Sequence, residues 1–119
     1  MATQELFNSR VPSGLTNGRP LIVAATATPG NLIHLATSDA TELDKVTLYA
    51  WTEGAAASDL TVEIGLGTFE TFTITLTPKE PKVLVWEGEA LNGGLELRAF
   101  ATVAGVRIAG DVVRVGPRA

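Results

Sequence analysis

From Asp44 to Val115 the chain is a near-continuous series of short segments with apolar or β-branched residues at every other position, separated by turn residues. A period of two puts alternate side chains on opposite faces of a pleated strand. Lys45–Thr52 is the clearest case, with Val46, Leu48 and Ala50 on one face and Lys45, Thr47, Tyr49 and Trp51 on the other. Leu60–Leu66 turns Leu60, Val62, Ile64 and Leu66 inward, and Thr61 and Glu63 outward. Phe69–Leu76 turns Phe72, Ile74 and Leu76 inward, and Thr71, Thr73 and Thr75 outward. Leu95–Val103 alternates again, and Lys82–Trp86 reads as a short strand. Gly67-Thr68 and Ala104-Gly105 predict tight hairpins, Gly88–Gly94 a turn-rich loop, and Gly110 a bulge or bend before Asp111–Val115.

Upstream, Pro20–Thr28 and Asn31–Thr37 read as two further strands around a Pro29-Gly30 turn, and Ser38–Leu43 as a polar connection. No segment carries a helical stripe. Eight or nine strands with turns every 8–12 residues or so predict an all-β antiparallel sandwich or jelly-roll-like barrel. A single sheet would leave the Leu60/Val62/Ile64 and Phe72/Ile74/Leu76 faces in water, at about 1.5–3 kcal/mol per large side chain. Stacking a second sheet removes that cost. Residues 1–19 show neither period and contain Pro12, Gly14 and Gly18. They read as an extended N-terminal arm able to reach roughly 60 Å at about 3.3 Å per residue, with 20–119 as the β domain.

The 119 residues suit one domain that buries roughly two-thirds of its surface. There is no cysteine, which excludes disulfides, thiolate zinc sites and a thiol nucleophile. The longest apolar run, Leu21–Ala25, is too short to span a membrane, and the N-terminus lacks a basic region followed by an apolar core. A protein made in the cytoplasm, with no membrane partner, is the expectation. Residues 39–96 carry eleven acids and three lysines, whereas 97–119 carry four arginines and one acid. An acidic body argues against binding nucleic acid by phosphate neutralisation.

The usual chemistry has little to build on. His34 is the only histidine, and one imidazole without cysteine makes no ordinary zinc site. Ser38 and Asp39 lie near it in sequence, but no nucleophile elbow surrounds them, so a structural histidine is expected. Glu63, Glu70, Glu87, Glu89 and Glu96 fall on outer faces or turns and read as solvated acids. Asp39, Glu42 and Asp44 are close enough to suggest calcium but lack the glycine and terminal glutamate of an EF-hand loop. The glycines at 18 and 93–94 mark turns, with no phosphate-loop context. No cofactor, no metal and no catalytic residue are expected. Tyr49 and Trp51 leave two arrangements open: outward on a sheet face, as carbohydrate-binding modules and protein interfaces use aromatics, or buried on the second side of a central strand.

Several stretches carry a resemblance: Asn17–Ala24, Gly30–Ala36, Asp44–Ala50, Leu60–Gly65, Leu95–Ala101 and Ile108–Val112. Together they resemble the small all-β structural proteins of tailed-phage particles, with Trp51-Thr52 departing from the small polar pair expected there. The resemblance implies a capsid decoration, or cement, protein on the outer surface of the head. Its partners would be the major capsid protein and neighbouring copies of itself, with a homo-oligomer, first of all a trimer, as the common solution. Leu6, Phe7, Val11 and Leu15 would be the apolar anchors of the arm, and Arg10 and Arg19 its charged contacts. On that reading, removing residues 1–19 leaves a folded domain that no longer binds capsids. The alternatives are a tail, neck or head-fibre component, and a carbohydrate-binding adhesion module using Tyr49 and Trp51.

Overall fold

The computed structural model describes residues 4–118, with side chains from 9 to 116. The alternating pattern forms a two-sheet antiparallel β-sandwich. One sheet contains β1 (Gln4–Arg10), β2 (Leu21–Ile22), β4 (Leu43–Thr52), β7 (Val83–Leu91) and β9 (Val106–Arg118). Its strands run β1-β9-β4-β7, with β2 also on β9. The other contains β3 (Asn31–Leu35), β5 (Ser58–Leu66), β6 (Thr68–Leu76) and β8 (Glu96–Ala101), in the order β3-β8-β5-β6.

The inward residues read from the alternation form the core. Val46, Leu48 and Ala50 of β4 meet Leu60 and Val62 of β5 and Leu97 and Ala99 of β8, all of them 0% exposed. Ile33, Val106, Ile108 and Val112 join them. Phe72 of β6 stacks on Trp86 of β7 with ring centroids 6.1 Å apart, closing the gap between the sheets on one side.

Four local expectations are corrected. Gly88 is not in a loop; β7 runs through it to Leu91, with two register shifts against β4 and Gly88 at φ +62°. Only a residue without Cβ adopts that conformation cheaply, so the glycine read as a turn is a bulge inside a strand. Gly110 is not a bulge: it lies in unbroken register opposite Leu48. A Cβ there would sit 2.0 Å from the Thr47 carbonyl oxygen, so the glycine lets two backbones approach. The first predicted strand shrinks to Leu21–Ile22, because Ala24–Gly30 crosses between the sheets. The Asn31 side-chain oxygen accepts the Ala24 and Ala25 amides there, replacing a ladder. Leu66, expected inside, is 65% exposed, since the hairpin at Gly67 carries the end of β5 past the core.

Glu63 points to the outer side of its sheet as expected, opposite Thr71 and Arg98, yet it is buried. The loop before β3 covers it: Gly30 N–H donates to Oε1 at 2.7 Å and Thr28 Oγ1 donates to Oε2 at 2.5 Å. Arg98 Nη1 in turn donates to the Gly30 carbonyl. A carboxylate read as solvated therefore holds a loop on the sheet.

The N-terminal segment is extended, but it lies on its own sheet. β1 pairs with β9 from Gln4 opposite Arg118 to Arg10 opposite Val112. β4 stops pairing with β9 at Leu43–Val115, so the outer end of β1 and Gly116–Arg118 form a two-stranded ribbon beyond it. Residues 12–15 then cross to β3, where Gly14 N–H donates to the Ile33 carbonyl and Leu35 N–H to Ser13 Oγ. The packing thus shows no boundary between residues 19 and 20. The molecule measures 57 × 29 × 21 Å.

Candidate functional site

The register of the five-stranded sheet decides where the aromatics go. β4 alternates, so with Val46, Leu48 and Ala50 in the core, Tyr49 and Trp51 stand on the outer face, each half-buried. Cross-strand partners share a face, which extends the surface over four strands. One row is Ile22–Arg107–Trp51 and the next is Ala109–Tyr49–Leu84. Ile22 is 59% exposed and Leu84 43%.

The polar ends of the aromatics are held locally. Trp51 Nε1 donates to Glu53 Oε2 at 3.1 Å, and Arg107 Nε lies 3.9 Å from the same carboxylate oxygen. Lys82 Nζ sits 5.2 Å from the Tyr49 ring centroid, within cation–π range. The patch is therefore an apolar and aromatic floor with Arg107 set between Ile22 and Trp51 and Lys82 over Tyr49. A polar row, Asp111–Thr47–Glu87, bounds it along the strands. Of these residues the sequence pointed to Tyr49 and Trp51. Ile22, Leu84, Ala109 and Arg107 were missed, because they join only when β2, β9, β4 and β7 are laid side by side.

Among the described side chains, the expected arm contacts have different surroundings. Leu6 and Phe7 lie outside the described side chains. Leu15 is 5% exposed in the chain's own core and is not available to a partner. Arg10 is half-buried in β1, with its Nε buried and unpaired among the described residues. Val11 and Arg19 are exposed.

His34 belongs to a buried network. Its Nε2 lies 2.8 Å from Asp44 Oδ2, and its Nδ1 accepts the Ser13 amide at 3.0 Å. Accepting there leaves Nδ1 without a proton, so the proton on Nε2 points at Asp44. Arg114 closes the network with Nε 2.7 Å from Asp44 Oδ1 and Nη2 3.0 Å from Oδ2, while Thr37 N–H donates to Oδ2. Burial alone would raise the Asp44 carboxyl. The hydrogen bonds from Arg114, His34 and Thr37, with the Arg114 charge, outweigh that and hold it at about 2. The same contacts raise Arg114 further above its ordinary value. Chemically this is a clamp. The group facing the imidazole is a backbone N–H, and the Ser13 hydroxyl oxygen accepts from Leu35, so no hydroxyl is set to be activated.

The other candidates separate as well. Asp39 accepts from the Thr41 amide and hydroxyl, which lowers its carboxyl, and Glu42 accepts from Thr37 Oγ1. Glu96 is lowered by its hydrogen bonds with Arg98. Asp39 is engaged by Thr41, Glu42 by the Thr37 hydroxyl and Asp44 by Arg114, His34 and the Thr37 amide, and among the described residues no three His, Asp or Glu converge on a metal position.

What fold and surface define together is a two-sheet β-sandwich with a partly exposed aromatic face. Neither a family model nor a curated protein matches the chain.

Proposed function

We propose that this chain is a structural protein of a phage particle, a decoration protein that sits on the outer surface of the assembled head. The observation that carries the reading is the two-row patch of Ile22, Trp51, Tyr49, Leu84 and Ala109, with Arg107 between Ile22 and Trp51 and Lys82 over Tyr49. Large apolar residues clustered on a sheet face at the cost of solvation mark a surface that is covered in use. The likeness of the sequence to small phage structural proteins supplies the setting, with the major capsid protein as the partner. Docking then runs through the sheet face, since Leu15 serves the chain's own core. A module that binds only the assembled shell stabilises it by mass action, and many copies add avidity. Catalysis, nucleic acid and membrane have no part in this reading.

The test is co-sedimentation of the protein with heads assembled without it. The chain is expected to saturate the shells, and Trp51→Ala with Tyr49→Ala to weaken binding about thirtyfold or more, the range of aromatic hot spots. Equal occupancy by the double variant removes the sheet face from the mechanism. A second reading, a carbohydrate-binding module, is favoured by two aromatics spaced two residues apart on one face. Retention on immobilised glycans that is lost with Trp51→Ala, together with no shell binding, would select it.

A further inference from the structure

A sandwich with two open sheets has four lateral edges, and each presents backbone groups that invite another strand. Three are interrupted or capped here. On the five-stranded sheet, β7 is broken by two register shifts and by Gly88, and carries Glu87 and Glu89. The opposite edge is built in two pieces, β1 and the two-residue β2. On the four-stranded sheet, β3 has a bulge between Leu32 and His34, and residues 13–14 cap it at Ile33 and Leu35.

The fourth edge is β6, which is neither bulged nor capped. Thr68–Leu76 pairs with β5 in one continuous register, Leu66 opposite Thr68 to Ser58 opposite Leu76. No other strand, loop or side chain hydrogen-bonds its second edge among the described residues. Its hydroxyls are turned back to the parent sheet, Thr73 bonding Thr61 at 2.9 Å and Thr75 bonding Asp59 at 2.7 Å. The strand carries a single charge, Glu70, and neither lysine nor proline.

The sequence of that edge indicates what covers it. Thr71-Phe72-Thr73-Ile74-Thr75 has the same polar and apolar order in both directions. We infer that β6 pairs antiparallel with β6 of a second copy, about a two-fold axis at Thr73. That register sets Thr73 against Thr73 and Thr71 against Thr75 on the outer face, and Phe72 against Ile74 on the inner face. It places each Glu70 against Leu76, so the two carboxylates stand at opposite ends of the ladder. Over the central five residues like meets like, and the strand's one charge falls at the ends of the ladder, which is the self-complementarity that an isologous interface requires. The two four-stranded sheets then become one sheet of eight strands. This inference is independent of the docking face on the other sheet.

The native chain has no cysteine, so one introduced thiol reports on one position. Directly opposed antiparallel residues sit within disulfide reach. Thr73→Cys is expected to cross-link into a covalent dimer under mild oxidation. Thr61→Cys, one strand inward on the same face, is expected not to. Sedimentation of the native chain should show a concentration-dependent dimer, and Thr73→Lys should weaken it about tenfold or more by opposing like charges at the axis. Circular dichroism of each variant confirms that the sandwich is intact. Equal cross-linking at 61 and 73 overturns the edge in favour of face-to-face contact. A native chain that stays monomeric across the dilution series, with Thr73→Cys remaining a free thiol, overturns self-pairing altogether.

Discussion

Asp44 is where the N-terminal half of the chain is fastened to the C-terminal strand. It is fully buried, and three elements donate to it: Arg114 from β9, His34 from β3 and Thr37 from the connection after β3. Its carboxyl is held at about 2, below the ordinary 3.8. A group lowered by folding contributes stability above its unfolded value and loses it as pH falls through the folded one. The contribution, about 2 kcal/mol, should be complete above about pH 4 and disappear towards pH 2. Denaturation midpoints measured across that range check it, and Asp44→Ala should flatten the dependence. The same substitution leaves the partly buried Arg114 and the buried His34 imidazole without their acceptor, at about 3 kcal/mol. In the sequence His34 is a lone histidine among apolar residues, and a structural role follows from its having no second ligand. Its partners do not follow, because Asp44 and Arg114 lie 10 and 80 residues away.

At the scale of elements, the N-terminal segment divides into two parts with different tasks. β1 adds a strand to the edge of β9, while residues 12–15 belong to the core through Leu15 and to β3 through Ser13 and Gly14. Removal of residues 1–10 should leave a cooperatively unfolding sandwich. Removal of 1–19 should cost several kcal/mol more, since burying a leucine like Leu15 alone accounts for about 2–5. Urea unfolding of the two truncations separates these outcomes, and equal stability would place Leu15 outside the core in solution. The expectation that residues 1–19 are dispensable for folding is what the longer truncation tests, with the burial of Leu15 against it. Four apolar residues without a period look the same whether they serve a partner or the chain's own interior. Only the position of β3 decides for Leu15.

For the whole molecule, the two candidate contact surfaces lie on different sheets, the aromatic face on the five-stranded one and the β6 edge on the four-stranded one. They should therefore act separately, as distant sites do. Trp51→Ala is expected to leave the dimer constant unchanged in sedimentation experiments. Thr73→Lys should leave thermal stability of the monomer unchanged yet weaken retention on shells, because a dimer brings two faces and a monomer one. A loss of dimer in Trp51→Ala would show that the two surfaces are coupled.

The alternation alone determined that this chain is an all-β antiparallel sandwich or barrel, and it assigned the faces of β4, β6 and most of β5, because a side chain's face depends only on its parity along the strand. It could not distinguish a bulge from a turn at Gly88, or a bend from close packing at Gly110, since glycine satisfies both. Nor could it tell that Glu63 is covered, because the loop that covers it comes from another part of the chain. The tertiary structure decided which strands are neighbours. That choice assembled Ile22, Arg107, Trp51, Ala109, Tyr49 and Leu84 into one surface, sent Leu15 inward, and left β6 as the one sheet edge made by a single strand in continuous register among the described strands. The physical reason is that periodicity is a local property of the backbone, whereas pairing depends on which long-range packing buries the most apolar surface.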